Sequence, residues 1–295
     1  MLRREFMRAS GAAVALAGVA AAQIAPPKKA KITSSVMLWT LKGTTEERIE
    51  AAARAGIQSV ELVSEHVQWS DAEAGRYKKL VRSFGMGFDT ILAQTDWKKR
   101  PVSMLDPAQR ENFLKDVRQA IVYAQRLEVP YIIVMSGDEI AGRNHEEQYR
   151  SMLEGAKRAG ELAFSAGVTL LVEPLNAKKD HKGFFLTNCA EGLKLVKGTG
   201  NPNVRLLFDI YHEQVQTGSV LGILAEAAPY TCVFHVADAP GRNDPGLGVI
   251  NYPEVYKAIA KSGFAGYIAM EYLPKGEQVA SLIKSVDQMR DALAS

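Results

Sequence analysis

Three shortages narrow the class of this chain. It has only 2 cysteines in 295 residues, too few for a disulfide scaffold. Cys189 and Cys232 lack the paired spacing of a structural zinc site and read as ordinary buried thiols. Net charge is small: 36 Lys and Arg against 33 Asp and Glu leave +3. The densest basic cluster beyond the N-terminus is Lys28, Lys29 and Lys31, which is no track for a nucleic acid. A membrane-spanning run is also missing, because the N-terminal apolar stretch Gly11 to Ala22 is 12 residues long where a span needs about 20. With 47% hydrophobic and 23% charged residues, disorder, collagen and coiled coil are excluded, and an enzyme-sized globule remains.

The first 22 residues read as an address rather than as fold. Arg3, Arg4 and Arg8 form a basic region, an apolar stretch follows, and Ala20-Ala21-Ala22 offers a small-residue cleavage site. The Arg3-Arg4 pair followed by Phe6 resembles a twin-arginine export signal, which implies the twin-arginine export machinery as a partner and a periplasmic destination. Residues 23–30 read as a Pro-stiffened linker and residues 31–295 as a single catalytic domain. Residues 1–22 carry a net +2 of the formal charge, so the remainder is nearly neutral.

From Lys31 onward, short apolar or β-branched runs alternate with amphipathic stretches. Strands are predicted at Ile32–Trp39, Ser59–Val63, Gly87–Leu92, Tyr131–Met135, Thr169–Glu173, Arg205–Asp209, Cys232–Val236 and Tyr267–Glu271. Helices are predicted at Glu46–Ala55, Ala72–Phe84, Pro107–Leu127 and Glu146–Ser165, more weakly near 188–198, 219–228 and 253–262, and finally at Glu277–Leu293. Gly56, Gly85, Gly167 and Gly263 each fall between a helical pattern and the next strand, where a helix C-terminus favours glycine. Eight strand–helix units of this size predict a single α/β domain, a (β/α)8 TIM barrel. A doubly wound sheet would place a glycine-rich phosphate loop after the first strand, and the stretch Met37 to Gly43 is not one.

Four consecutive predicted strands in the second half end in residues able to bind a metal: Glu173, Asp209, His235 and Glu271, at intervals of 36, 26 and 36 residues. In a barrel, strand C-termini converge on one rim. A lone acidic residue there could merely cap a helix, but carboxylates gathered at one rim repel unless a cation compensates them. Three carboxylates and one imidazole suit one divalent metal, Mn2+ or Mg2+ first and Co2+ or Zn2+ next.

The stretch Leu170 to Asn176, followed by Gly183-Phe184-Phe185-Leu186, Phe208 to His212, His235 to Arg242, Gly246 to Tyr252 and Met270-Glu271-Tyr272, resembles the hydroxypyruvate isomerase family within the xylose isomerase-like barrels, which also include ketose 3-epimerases. The resemblance implies that Glu173, Asp209, His235 and Glu271 hold one metal, that Glu173 and Glu271 double as the acid/base pair, and that His212 and Arg242 contact substrate oxygens. One departure stands out: hydroxypyruvate isomerases often carry Gln at the third ligand position, and the His235 found here is commoner in the epimerase branch.

The chemistry expected of such a site is isomerisation of a small hydroxy-keto acid or sugar by proton transfer through an enediolate. Epimerisation or elimination shares the same first step, and a silent carbohydrate-binding barrel is the non-enzymatic alternative. An abasic-site endonuclease shares the barrel type but needs several zinc ions and more than the 5 histidines present. His212 is expected in a loop after the sixth strand. Arg242 either contacts substrate or pairs with Asp238 or Asp244. Asn176 either contacts substrate or orients Glu173. Trp39 and His66 read as structural, one packing the barrel top and the other lying in a loop. A homo-oligomer is compatible with the chain.

Overall fold

The computed structural model describes residues 32–294. The expected export signal at 1–22 and linker at 23–30 lie outside the described residues. Among the described residues eight parallel strands close into a barrel in sequence order: β1 Ile32–Met37, β2 Ser59–Leu62, β3 Gly87–Leu92, β4 Tyr131–Val134, β5 Thr169–Val172, β6 Val204–Asp209, β7 Thr231–Val236 and β8 Gly266–Met270. The helices α1 Thr45–Arg54, α2 Asp71–Ser83, α3 Arg110–Leu127, α4 His145–Ala166, α5 Cys189–Thr199, α6 Ile210–Thr217, α7 Leu221–Ala227, α8 Tyr252–Lys261 and α9 Gln278–Ala294 follow them along the chain. Both cysteines are free.

Helix boundaries have local causes. Thr44 and Ser70 cap α1 and α2 through reciprocal bonds with Glu47 and Glu73, which satisfies otherwise orphaned backbone donors. Gly167 ends α4 at φ +71, a left-handed conformation that lets its N–H close back onto the helix before β5 begins. One helix was not anticipated. α6 starts directly after β6, because Asp209 ends the strand and its carboxylate accepts the His212 N–H at 2.8 Å as a cap. His212 therefore lies in a first helical turn, not in a loop.

The barrel interior determines where the site can form. Met37, Ile133, Leu171, Leu207, Val233 and Ala269 pack as one buried layer inside the strands. Side chains alternate faces along a strand, so the residues two positions beyond the last four share that inner face one layer higher. Those residues are Glu173, Asp209, His235 and Glu271.

Candidate metal and acid/base site

All four residues are buried, with one ligand atom of each within 4.8 Å of the others. His235 is the hub. Its Nδ1 lies 3.0 Å from Glu271 Oε2, 3.6 Å from Glu173 Oε1 and 3.9 Å from Asp209 Oδ2. His235 Nδ1 is buried without a hydrogen-bond partner. Orphaned buried polar atoms are costly unless something else occupies their lone pairs. Three carboxylates converging on an imidazole nitrogen form a donor set that fits a divalent cation, and the cluster could hold one.

Burial pushes the carboxyls of Glu173 and Asp209 upward, helped by the neighbouring Glu271 charge. Burial acts on Glu271 in the same direction, but Arg242 and His235 outweigh it and hold that carboxyl well below its usual range. Burial lowers the His235 imidazole, yet the charges of Glu61 and Glu271 raise it well above the ordinary value.

Arg242 leans into this cluster rather than pairing with Asp238 or Asp244. Its Nη2 lies 2.7 Å from Glu271 Oε2 and 3.9 Å from Asp209 Oδ2, with the guanidinium over the rings of Trp39 and Tyr211. Asp238 instead accepts backbone N–H groups from Ala239, Gly246, Gly248 and Ile250, which ties down the loop carrying Arg242. Asp244 accepts from Lys275 N and Ser281 Oγ.

His212 is buried, and burial together with the Arg242 charge pushes its imidazole well below the usual value. The backbone N–H of Asn176 at 3.2 Å and its side-chain amide at 2.5 Å both face His212 Nδ1. That nitrogen is therefore the acceptor and the proton sits on Nε2, which lies 3.7 Å from Asp209 Oδ2. Asn176 thus orients His212, and its remaining bonds go to Asp180 and Lys179 rather than to Glu173.

The structure adds residues to the site. Trp39 is not mere packing: its indole Nε1 donates to Glu271 Oε1 at 3.2 Å. His66 is fully buried in a short 3-10 turn, edge-on to Tyr123, and stands apart from the quartet. Trp97, His181 and Phe184 form an aromatic wall beside His212, and burial with the Arg242 charge pushes His181 down to about 4. Inside the barrel, Glu61 and Asp89 bring two further buried acids beneath His235. A charged residue inside a predicted strand was the signal for both.

Comparison with known proteins agrees with this architecture. A family profile described as xylose isomerase-like TIM barrel matches residues 49–292. The chain is 30% identical over 238 residues to hydroxypyruvate isomerase of Escherichia coli (strain K12), covering 80% of this chain and 90% of that protein. It is 29% identical over 241 residues to 2-oxo-tetronate isomerase of Cupriavidus necator, covering 80% and 90%. Among solved structures, AP endonuclease, family 2 from Brucella melitensis superposes with a TM-score of 0.77 at 23% identity, covering 88% of this chain and 98% of that one. That last likeness speaks for the fold alone.

Proposed function

The chain belongs to the xylose isomerase-like TIM-barrel family, and on that premise we propose that it is a metal-dependent isomerase interconverting aldehyde and ketone forms of a small hydroxy-keto acid or sugar. The observation that carries this reading is the buried quartet, in which two carboxylates flank one imidazole nitrogen. The relatives named hydroxypyruvate isomerase and 2-oxo-tetronate isomerase support the isomerase class.

Glu173, Asp209, His235 and Glu271 would hold one divalent cation, Mn2+ or Mg2+ by their oxygen-rich donor set, and when bound it would polarise a substrate carbonyl and the neighbouring hydroxyl. Moving a carbonyl to the adjacent carbon requires a C–H proton to leave one carbon and a proton to return at the next, while the hydroxyl proton passes to the former carbonyl oxygen. Glu173 and Glu271 supply two carboxylates for that exchange, one accepting and one returning the proton. Charge that develops on the substrate oxygens is met by the Nε2–H of His212 and by the guanidinium fork of Arg242. Trp39 and Asn176 hold two of these groups in register, and such positioning can matter as much as basicity.

His235 favours a second reading, because histidine at this ligand position resembles the epimerase branch. The two readings separate by product. Incubated with Mn2+ and hydroxypyruvate or a panel of ketoses, an isomerase yields the aldehyde isomer in the NMR spectrum. An epimerase yields a ketose inverted beside the carbonyl. Neither product from a protein with bound metal would refute the proposal and leave the silent carbohydrate-binding barrel.

We also propose export, on the strength of Arg3-Arg4 and Ala20-Ala21-Ala22. N-terminal sequencing of exported protein should begin after Ala22, and a start at Met1 would refute cleavage there. No described helix is long and apolar enough to cross a membrane.

A further inference from the structure

We propose that Glu61 is the positioning residue for His235, aiming its Nδ1 at the metal, and that β3 is locally deformed to hold Glu61 in place. The inference rests on the metal reading of the quartet. His235 Nε2 donates to Glu61 Oε2 at 2.9 Å, and both residues are fully buried. An imidazole has two nitrogens, so anchoring Nε2–H on a carboxylate leaves Nδ1, the atom facing Glu173, Asp209 and Glu271, as the free lone pair.

Glu61 is itself gripped. Its Oε1 accepts from Thr90 Oγ1 at 3.0 Å, the same hydroxyl lies 3.0 Å from Asp89 Oδ2, and Ser35 Oγ donates to Asp89 Oδ1 at 2.7 Å. In a regular strand Asp89 and Thr90 would point to opposite faces. The register between β2 and β3 shifts after Val60: Val60 pairs with Phe88 and Glu61 with Thr90, leaving Asp89 without a partner across the ladder. That irregularity lets both neighbours reach Glu61, the re-aiming role bulges often serve. Asp89 is buried beside Glu61, and burial plus the Glu61 charge push its carboxyl well above the usual range.

The grip explains why an acid lies in the interior of β2, far in sequence from every residue of the quartet. Removing a partner of this kind typically costs 10–100-fold in metal affinity. The test measures Mn2+ affinity by EPR on purified metal-free protein, together with the melting temperature of the metal-free form. Glu61→Gln keeps size and loses the charge. It should bind Mn2+ about 10–100-fold more weakly, with the metal-free melting temperature close to wild type. Thr90→Val, which frees Oε1 without touching Glu61, should give a smaller loss in the same direction. In the Zn2+-loaded protein, 15N NMR should show His235 protonated at Nε2 and ligated through Nδ1. Wild-type Mn2+ affinity in a folded Glu61→Gln would overturn the inference. Should Glu61→Gln not fold, unchanged affinity in Thr90→Val or ligation through Nε2 would overturn it. Failure of wild-type protein to bind Mn2+ or Zn2+ would instead strike the metal reading itself.

Discussion

The indole N–H of Trp39 donates to Glu271 Oε1 at 3.2 Å, tying the turn after β1 to the end of β8 at the seam where the barrel closes. Arg242 holds the other oxygen of the same carboxylate at 2.7 Å. Glu271 is thus fixed from two sides. Hydrogen bonds to charged groups are worth about 1.5–3 kcal/mol, so Trp39→Phe should lower turnover by about 10- to 100-fold while leaving the fold intact. Steady-state kinetics beside a thermal melt would check this, and unchanged turnover would return Trp39 to a packing role.

Asn176 and His212 form a second such pair. His212→Phe removes the Nε2–H donor and should lower kcat by about 100-fold, within the range ascribed to a single preorganised donor. Asn176→Ala leaves the imidazole present but unaligned, and should cost about tenfold. Equal effects of both variants on KM, with kcat preserved, would mean that the pair binds substrate without serving the chemistry.

The quartet is legible in the sequence because each member ends an apolar run at the same pleat parity as an interior residue. Strand positions agreed within a residue or two, since apolar runs bounded by glycine leave little freedom. What stayed hidden depends on distant contacts. Trp39 and Glu271 are 232 residues apart, and Glu61 and His235 are 174 apart. α6 was hidden for a different reason: Asp209 is both strand end and helix cap, so no turn residues separate the two elements.

His66 gives the protein a pH-dependent stability independent of the site. Burial, with the Arg126 charge, lowers its imidazole to about 4. The unfolded histidine titrates near 6.5, so between those values the unfolded chain binds the extra proton. The contribution is whole above about pH 6.5 and is lost as the pH falls toward 4, about 3 kcal/mol in all. Urea unfolding of wild type and His66→Phe at pH 7 and pH 4.5 should show wild type losing most of that amount relative to the variant. A constant difference between the two proteins would contradict it.

Metal should stabilise the fold through mass action. At 100 times its dissociation constant a cation adds about 2.7 kcal/mol, so chelator should lower the melting temperature by several degrees and added Mn2+ should restore it. Asp209→Asn retains a capping side chain for α6 but removes one ligand charge. Its melting temperature should therefore respond far less to Mn2+. A full response in the variant would remove Asp209 from the ligand set.

Proton exchange at carbon is the central claim, and solvent deuterium reads it directly. Mn2+-loaded protein incubated with hydroxypyruvate and a panel of ketoses in D2O should place deuterium on a carbon beside a carbonyl of at least one substrate. Glu271→Gln, with metal still bound, should abolish that incorporation. No deuterium in any substrate, or undiminished incorporation by the metal-bound variant, would contradict the account.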